Sequence, residues 1–151
     1  MSLLSYFFED LAIGQHFKTR PRVLTPTELD LVPVLLGATN PLFLSDEAAK
    51  RLGRPARQAS SLIPVCYCLG QTYQTGIFDQ TRQMIEVHGK ILGRVYEQDM
   101  ILTDVEITDK RDFPEDARLG LVTFTMNVTK EDGTKVAKVD YVISVTKKSG
   151  S

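Results

Sequence analysis

Few residues in this chain have side chains suited to chemistry. The titratable candidates are His16, His88, the acidic pair Asp46–Glu47 and the only cysteines, Cys66 and Cys68. Histidines and carboxylates serve as general acids or bases, and a thiolate serves as a nucleophile. Each candidate therefore has to be weighed against a purely structural role.

The two cysteines do not form a metal or disulfide set. Two residues apart on a helix, Cys66 and Cys68 point about 200° away from each other. Two thiols alone make neither a disulfide framework nor a metal site. We expect both to be buried and reduced, and we expect no metal or cofactor.

The histidines and acids have simpler explanations than catalysis. His88 falls in a predicted strand on the same alternating face as Glu86 and Lys90, which favours an exposed or core-satisfied histidine over a catalytic base. His16 is a weaker candidate. Asp46–Glu47 stand at the start of a short predicted helix, where negative charge is favoured by the helix dipole.

The composition excludes several classes of function. The chain has 151 residues, 18 Lys and Arg against 19 Asp and Glu, and a net charge of -1. Such a balance provides no strong positive field for nucleic acid or an anionic membrane. No apolar run approaches the roughly 20 residues of a membrane span. The apolar start, residues 1–8, lacks the basic residues of a signal peptide, so we expect a cytoplasmic protein.

The first half of the chain is predicted to be mainly helical. After a short strand in Gln15–Leu24, Thr25 and Glu28 form a capping box with Pro26 at the first helical position. That helix should run to Gly37, with Pro33 kinking it or limiting it to short turns. A short helix follows Ser45, and the nearly uncharged segment Ser60–Ile77 predicts a long central helix.

The second half reads as strands. The first two candidate strands are Met84–His88 and Met100–Thr108. Two further strands follow, each with its apolar residues on one face. These residues are Val122, Phe124, Met126 and Val128 in the third strand and Val139, Tyr141, Ile143 and Val145 in the fourth. Glu131–Thr134 predicts the hairpin turn between the last two. We infer one α+β domain over residues 1–151, an antiparallel meander around one long helix, whose open edge favours a dimer.

Several segments, in this order, resemble the MaoC-like hot-dog family of (R)-specific enoyl-thioester hydratases and 3-hydroxyacyl dehydratases. Phe8–Gln15 is similar to the family's opening. Gly37–Ser45 is similar to its signature, Gly-Asp-x-Asn-Pro-(aliphatic)-His-x-(small). Ala59–Ile63 matches the segment that opens the central helix, and Val95–Asp99 resembles the step before the next long strand.

The resemblance also shows what this chain lacks. In active members the signature Asp and His hold and deprotonate the water that adds to the double bond, and here Ala38 and Phe43 stand at those positions. The loss of both groups should remove most of the hydratase rate. Asn40 is retained, either to shape the loop or as an ordinary turn. Ser60 and Ser61 replace the usual His-Gly and either contact the thioester carbonyl or cap the helix.

Three functions stay open. The resemblance implies a non-catalytic hot-dog protein of fatty acid metabolism that binds an acyl-CoA or acyl carrier protein thioester, as a homodimer or with another hot-dog subunit. The second is an active hydratase or dehydratase using other residues, and the third is a thioesterase. Tyr67 and Tyr73 are candidates for an acyl tunnel, although core packing is the default. The closing Lys147–Lys148 reads as a solvated strand end or a contact to a CoA phosphate.

Overall fold

The computed structural model describes residues 5–149. Residues 1–4 and 150–151 lie outside this range, so the expectation of no signal peptide rests partly on undescribed residues. A 3₁₀ turn at Phe8–Asp10 precedes the other elements: β1 (His16–Lys18), β2 (Arg22–Val23), α1 (Pro26–Leu36), α2 (Pro41–Leu44), α3 (Asp46–Arg51), α4 (Leu62–Tyr73), β3 (Thr81–Ile91), β4 (Met100–Asp112), β5 (Leu119–Lys130) and β6 (Lys135–Thr146).

One antiparallel sheet has the order β1-β4-β5-β6-β3, with β2 also paired to β4. The predicted meander is correct for β4, β5 and β6 but wrong for β3, which pairs with β6 instead of β4. The connection 92–99 crosses the start of α4, where Ala59 N–H donates to Val95 O at 2.7 Å. This connection links β3, at one edge of the sheet, to β4, near the opposite edge.

The first predicted strand, Gln15–Leu24, is two short strands. Both pair with β4, and the chain leaves the ladder between them. Pro21 has no N–H to donate there, and the Arg20 carbonyl accepts a hydrogen bond from Gln71 Nε2 at 2.8 Å. A side chain of α4 therefore takes the place of a strand partner at this break.

Helix α1 begins with the predicted capping box. Glu28 N–H donates to Thr25 Oγ1, and the Glu28 carboxylate accepts from Thr25 N–H at 2.8 Å. The expectation that Pro33 limits this segment to short turns is wrong, because the helix continues to Leu36. Pro33 is buried, and that burial offsets the backbone bond that proline cannot make. Gly37 ends the helix with a φ of 67°, in the left-handed region.

Helix α4 lies against one face of the sheet, packed on β4, β5 and β6. It spans Leu62–Tyr73, shorter than the predicted Ser60–Ile77, and Gly76 (φ 82°) turns the chain after it. Both predicted apolar strand faces are confirmed as core: Val122, Phe124, Met126, Val128, Val139, Tyr141, Ile143 and Val145 are all buried. None of the helices within residues 5–149 combines the length and hydropathy needed to span a membrane.

The expectation for the cysteines is half wrong. Cys68 is buried in the core and Cys66 is exposed, as their opposite directions on one helix require. Burial raises the pKa of the Cys68 thiol to about 12, so this thiol stays protonated. Both cysteines are free.

Candidate functional site

The two candidate serines lie at the start of α4 and have different surroundings. Ser60 is buried, and its Oγ accepts a hydrogen bond from Leu62 N–H at 3.3 Å. Ser61 is exposed, and its hydroxyl makes no hydrogen bond within the described residues. Ser61 is the N-cap position of α4 but makes no side-chain cap hydrogen bond. Ser60 instead accepts the N–H of the first residue of the helix, and Ser61 is the serine available to a ligand.

Ser61 lines a cavity of about 390 Å³ beside the start of α4. The wall comes from three parts of the chain, namely the segment after α3, the first turn of α4 and the end of β3 with its following connection. Its members are Arg54, Gln58, Ala59, Ser61, Pro64, Ile91, Leu92, Gly93, Arg94 and Val95.

Backbone hydrogen bonds hold these parts together. Gln58 N–H donates to Leu42 O at 3.0 Å, and Gln58 forms an isolated bridge with Tyr96. Gly93 makes the close approach possible, since a Cβ there would lie 2.5 Å from the Lys135 carbonyl oxygen. The cavity is therefore built on fixed backbone.

Besides Ser61, three polar side chains of the wall have no partner among the described residues. Within residues 5–149, neither Arg54 nor Arg94 has a carboxylate within ion-pair distance, although Arg54 is half-buried. The Gln58 side chain makes no hydrogen bond, and its Oε1 is shielded from solvent. A buried polar atom without a partner costs free energy. The unpaired groups therefore mark this wall as a place where a ligand's polar atoms are favoured.

The signature-like loop lies beside the cavity without entering its wall. Asn40 Oδ1 accepts from Leu42 N–H at 2.9 Å and so caps α2, the ordinary turn role. Ala38 N–H donates to Pro33 O at 2.8 Å, which closes the end of α1. Neither of these residues nor Phe43 is among the lining residues. The loop reaches the wall through the Leu42 carbonyl.

Three of the four alternative acids and bases have structural partners, and the fourth, His88, is an exposed strand residue. Asp46 accepts from Arg57 N–H at 2.8 Å, and Glu47 pairs with Arg51. His88 is exposed on β3, opposite Asp140 in the strand pairing. His16 lies on β1, at the opposite edge of the sheet from β3, and is hydrogen-bonded to Asp104 at 2.8 Å. None of these side chains lines the cavity.

The remaining candidates also lie away from the cavity. The Tyr67 ring lies 3.8 Å from the Arg22 guanidinium carbon, and Tyr73 packs edge-to-face on Phe78. Lys147 bonds to Asp112 at 2.8 Å, and Lys148 bonds to Asp10. Lys147 thus connects the segment after β6 to the end of β4, and Lys148 connects it to the 3₁₀ turn at Phe8–Asp10, so both lysines already have carboxylate partners.

The family-like opening Phe8–Gln15 has a visible structural role. The Phe8 ring packs directly on Gly120, where an added Cβ would overlap the ring carbons. The Lys110 ammonium lies 4.3 Å from the centre of the same ring. This opening therefore fixes the N-terminal segment to β4 and β5.

The side chains that line the cavity can bind a ligand by hydrogen bonds, but none of them is suited to act as a general acid or base. The described wall contains no His, Asp, Glu, Cys, Lys or Tyr. Its donors are two guanidinium groups, one amide, one hydroxyl and the backbone at the start of α4. No group of three or more His, Cys, Asp or Glu side chains within residues 5–149 is arranged to hold a metal ion.

Solved structures match nearly the whole chain. A monoamine oxidase regulatory protein from Archaeoglobus fulgius is 23% identical, with a TM-score of 0.88, over 95% of this chain and 96% of its own. A MaoC-like dehydratase from Rhodospirillum rubrum is 15% identical, with a TM-score of 0.83, over 95% and 99%. The chain has a hot-dog fold. The predicted α+β class, one sheet around one long helix, is confirmed.

A third match is a subunit of a complex. The C-terminally truncated HadBC complex from Mycobacterium tuberculosis, a 3R-hydroxyacyl-ACP dehydratase, is 16% identical, with a TM-score of 0.70, over 87% of this chain and 96% of the matched chain. No model of a known protein family and no curated protein sequence matches this chain.

Sequence reasoning found Ser61 but missed Arg54, Gln58 and Arg94. Each of the three is unremarkable in its own segment, and no local pattern brings them together. The signal that was available is that Arg94 directly precedes Val95–Asp99, a segment already noted for its resemblance. That segment positions the cavity because it crosses the start of α4.

Proposed function

We propose that this protein binds an acyl thioester without hydrating it. One observation carries the proposal: a cavity at the start of the central helix offers hydrogen-bond donors but no general base. The hot-dog fold of MaoC-like dehydratases, reported above, supports the choice of a thioester as the ligand. Hydration needs a group that takes a proton from water, and such a group contributes about 10²–10⁴-fold in rate.

The thioester carbonyl has a specific place in this proposal. Of the N–H groups at the start of α4, that of Leu62 bonds to Ser60 Oγ and that of Ile63 to Ser60 O, while Pro64 has none. The Ser61 hydroxyl and N–H are the groups left to donate. The positive end of the α4 dipole adds to the polarisation of a carbonyl there.

A second hot-dog subunit is part of the same proposal. Strand β3 is an outer strand of the sheet, and apolar side chains along it and just beyond it are exposed, including Met84, Val87, Ile91 and Leu92. An exposed apolar outer strand favours pairing with another chain. Because Ile91 and Leu92 also line the cavity, a partner on this edge, either a second copy or a different hot-dog chain, would lie next to the ligand.

Calorimetric titration tests the proposal. Butyryl-CoA should bind the purified protein more tightly than free CoA, and Ser61→Ala should weaken the binding of butyryl-CoA but not that of CoA. Ser60→Ala is the matched control, since Ser60 does not line the cavity. Equal affinities for butyryl-CoA and CoA would contradict thioester binding. Release of free CoA from a panel of acyl-CoAs would instead favour a thioesterase.

A further inference from the structure

We propose that a groove at the C-terminal end of α4 binds a small phosphate monoester whose remainder is polar, such as a sugar phosphate. The groove has a volume of about 650 Å³ and is lined by Lys18, Arg20, Gln71, Gln74 and Thr75. It shares no lining residue with the cavity at the start of α4. The inference therefore adds a second ligand site and does not rest on the proposed function.

Two cations without a carboxylate partner line this groove. Within residues 5–149, neither Lys18 nor Arg20 has a carboxylate within ion-pair distance. The carboxylate opposite Lys18 in the strand pairing is that of Asp104, and it is hydrogen-bonded to His16 at 2.8 Å instead. No acidic residue is among the lining residues. Because guanidinium and ammonium groups both bind phosphate oxygens, the groove favours a dianion such as a phosphate monoester.

A buried polar network fixes the backbone beneath the groove. Gln71 is 2% exposed, and its Nε2 donates to the Arg20 carbonyl at 2.8 Å. Its Oε1 accepts from the Thr103 hydroxyl at 2.9 Å, and Thr103 N–H donates to Thr19 Oγ1 at 3.2 Å. Pro21 follows Arg20 and restricts the chain further. A fully bonded polar network inside a core specifies one arrangement, so the Arg20 side chain starts from a fixed position.

The composition of the wall selects a polar ligand. Every lining side chain is polar, so an acyl chain would gain no free energy from burial there. The wall also has no aromatic ring on which a nucleotide base stacks. The Thr75 hydroxyl already donates to Thr72 O at 2.7 Å, whereas the exposed Gln74 amide makes no side-chain hydrogen bond among the described residues. That amide both donates and accepts, and it can therefore pair with the hydroxyl groups of a sugar.

The position of the groove offers these cations an alternative role. The C-terminal end of a helix carries partial negative charge, which nearby cations stabilise. In α4, however, the carbonyls of Gly70, Thr72 and Tyr73 already accept N–H groups from the residues that follow the helix. Because these carbonyls are bonded, the helix end does not account for both Lys18 and Arg20.

The experiment titrates four probes into the wild-type protein at constant ionic strength, with calorimetry as the readout. The probes are inorganic phosphate, ribose, ribose 5-phosphate and adenosine 5′-monophosphate, which is ribose 5-phosphate with a base. Ribose 5-phosphate should bind more tightly than inorganic phosphate, and ribose should show no binding. The base should change the affinity by no more than about twofold, since the wall gives it nothing to stack on. This comparison requires no variant to fold.

Two variants and a control then connect the binding to the groove. Arg20→Gln should weaken the binding of ribose 5-phosphate by about tenfold and Lys18→Gln by about threefold, because the guanidinium makes paired bonds to phosphate and the ammonium does not. Both variants should leave the affinity for butyryl-CoA unchanged. Lys90→Gln is the matched control and should change neither affinity, since Lys90 is an exposed cation on β3 that lines neither site.

Several results would overturn the site. They are ribose 5-phosphate that binds no more tightly than inorganic phosphate, an affinity for adenosine 5′-monophosphate far above that for ribose 5-phosphate, and equal losses in Lys90→Gln and Arg20→Gln. Lower stability of Arg20→Gln with unchanged binding of ribose 5-phosphate would assign the arginine to the helix end instead. A loss of butyryl-CoA binding in Arg20→Gln would make the groove part of the thioester site. Failure of the proposed function is a separate result, namely butyryl-CoA that binds no more tightly than CoA.

Discussion

Arg54 and Arg57 are three residues apart, and their surroundings are opposite. The Arg57 side chain is only 14% exposed, is bonded to Asp30 and lies 3.8 Å from Glu97. Arg54 is also partly buried and has no acceptor in the described structure. One guanidinium is enclosed by partners and the other faces a cavity.

The difference separates the polar groups that hold the fold from those available to a ligand. Arg57 connects α1, through Asp30, to the connection that crosses α4, through Glu97, and its N–H connects to Asp46. Arg54, Arg94, Gln58 and Ser61 make no such side-chain links within the described residues. We expect substitutions in the first group to change stability and those in the second to change ligand affinity.

The largest contrast is expected between the two arginines themselves. Arg57→Met should lower the free energy of unfolding by about 1–2 kcal/mol, because it leaves Asp30 and Glu97 in place without the charge that pairs them. Arg54→Met should change it by less than about 0.5 kcal/mol. Chemical denaturation of both variants measures the difference, and equal losses would remove the distinction between the two sites.

The next largest expected effect on stability comes from the Glu28 carboxylate of the capping box, and its size depends on pH. Burial raises the pKa of the Glu28 carboxyl, but hydrogen bonds from Thr25 N–H, Arg22 and the Thr25 hydroxyl outweigh it and lower the pKa from 4.5 to about 2. Because the folded state favours the ionised Glu28 carboxylate, its interactions contribute their full stabilisation above pH 4.5. This contribution is lost as the carboxylate is protonated while the pH falls toward 2.

We therefore expect Glu28→Gln to cost on the order of 1–2 kcal/mol at neutral pH. The gap between variant and wild type should close as the pH falls from 4.5 toward 2. Denaturation at several pH values checks this. A gap independent of pH would show that the carboxylate charge contributes nothing to stability.

The adjacent serines Ser60 and Ser61 should differ in their effect on stability, by a smaller amount than the changes above. Ser60→Ala should lower the free energy of unfolding by about 1 kcal/mol, because it removes the buried acceptor of the Leu62 N–H at the start of α4. Ser61→Ala should leave it within about 0.5 kcal/mol. Denaturant midpoints measure both, and a Ser61 variant less stable than the Ser60 variant would reverse the assigned roles.

The smallest expected effect concerns the substitute acids and bases. Asp46→Asn, Glu47→Gln and His88→Gln should each leave butyryl-CoA affinity within about twofold of the wild type, because none of these side chains lines the cavity. The first of these changes keeps a side-chain oxygen that can accept from Arg57 N–H, so the fold is preserved. A hydratase activity that disappears in any one of them would identify a catalytic residue outside the cavity described above.

The sequence predicted the elements whose signals are local. The Thr25–Glu28 capping box places the start of α1 because both partners lie within one helical turn. The strand faces of β5 and β6 follow from alternation alone. The two-residue spacing of Cys66 and Cys68 requires opposite directions on α4, which is why Cys68 is buried and Cys66 is exposed.

The features that were missed depend on distant parts of the chain. The pairing of β3 with β6 is set by the crossing of 92–99 over α4, which no local pattern encodes. The break at Pro21 is stabilised by Gln71, far away on α4. Arg54 and Arg94 line the same cavity from distant parts of the chain, so the cavity could not be predicted from local spacing.

The most direct test of the central claim is a hydration assay with the purified protein alone and saturating crotonyl-CoA. Binding is first confirmed by calorimetry in the same buffer, so that every protein molecule carries the thioester. We predict saturable binding and a rate of 3-hydroxybutyryl-CoA formation no higher than that of the buffer. Hydration at an ordinary enzyme rate of about 1–10³ s⁻¹ would contradict a site that binds the thioester without a base.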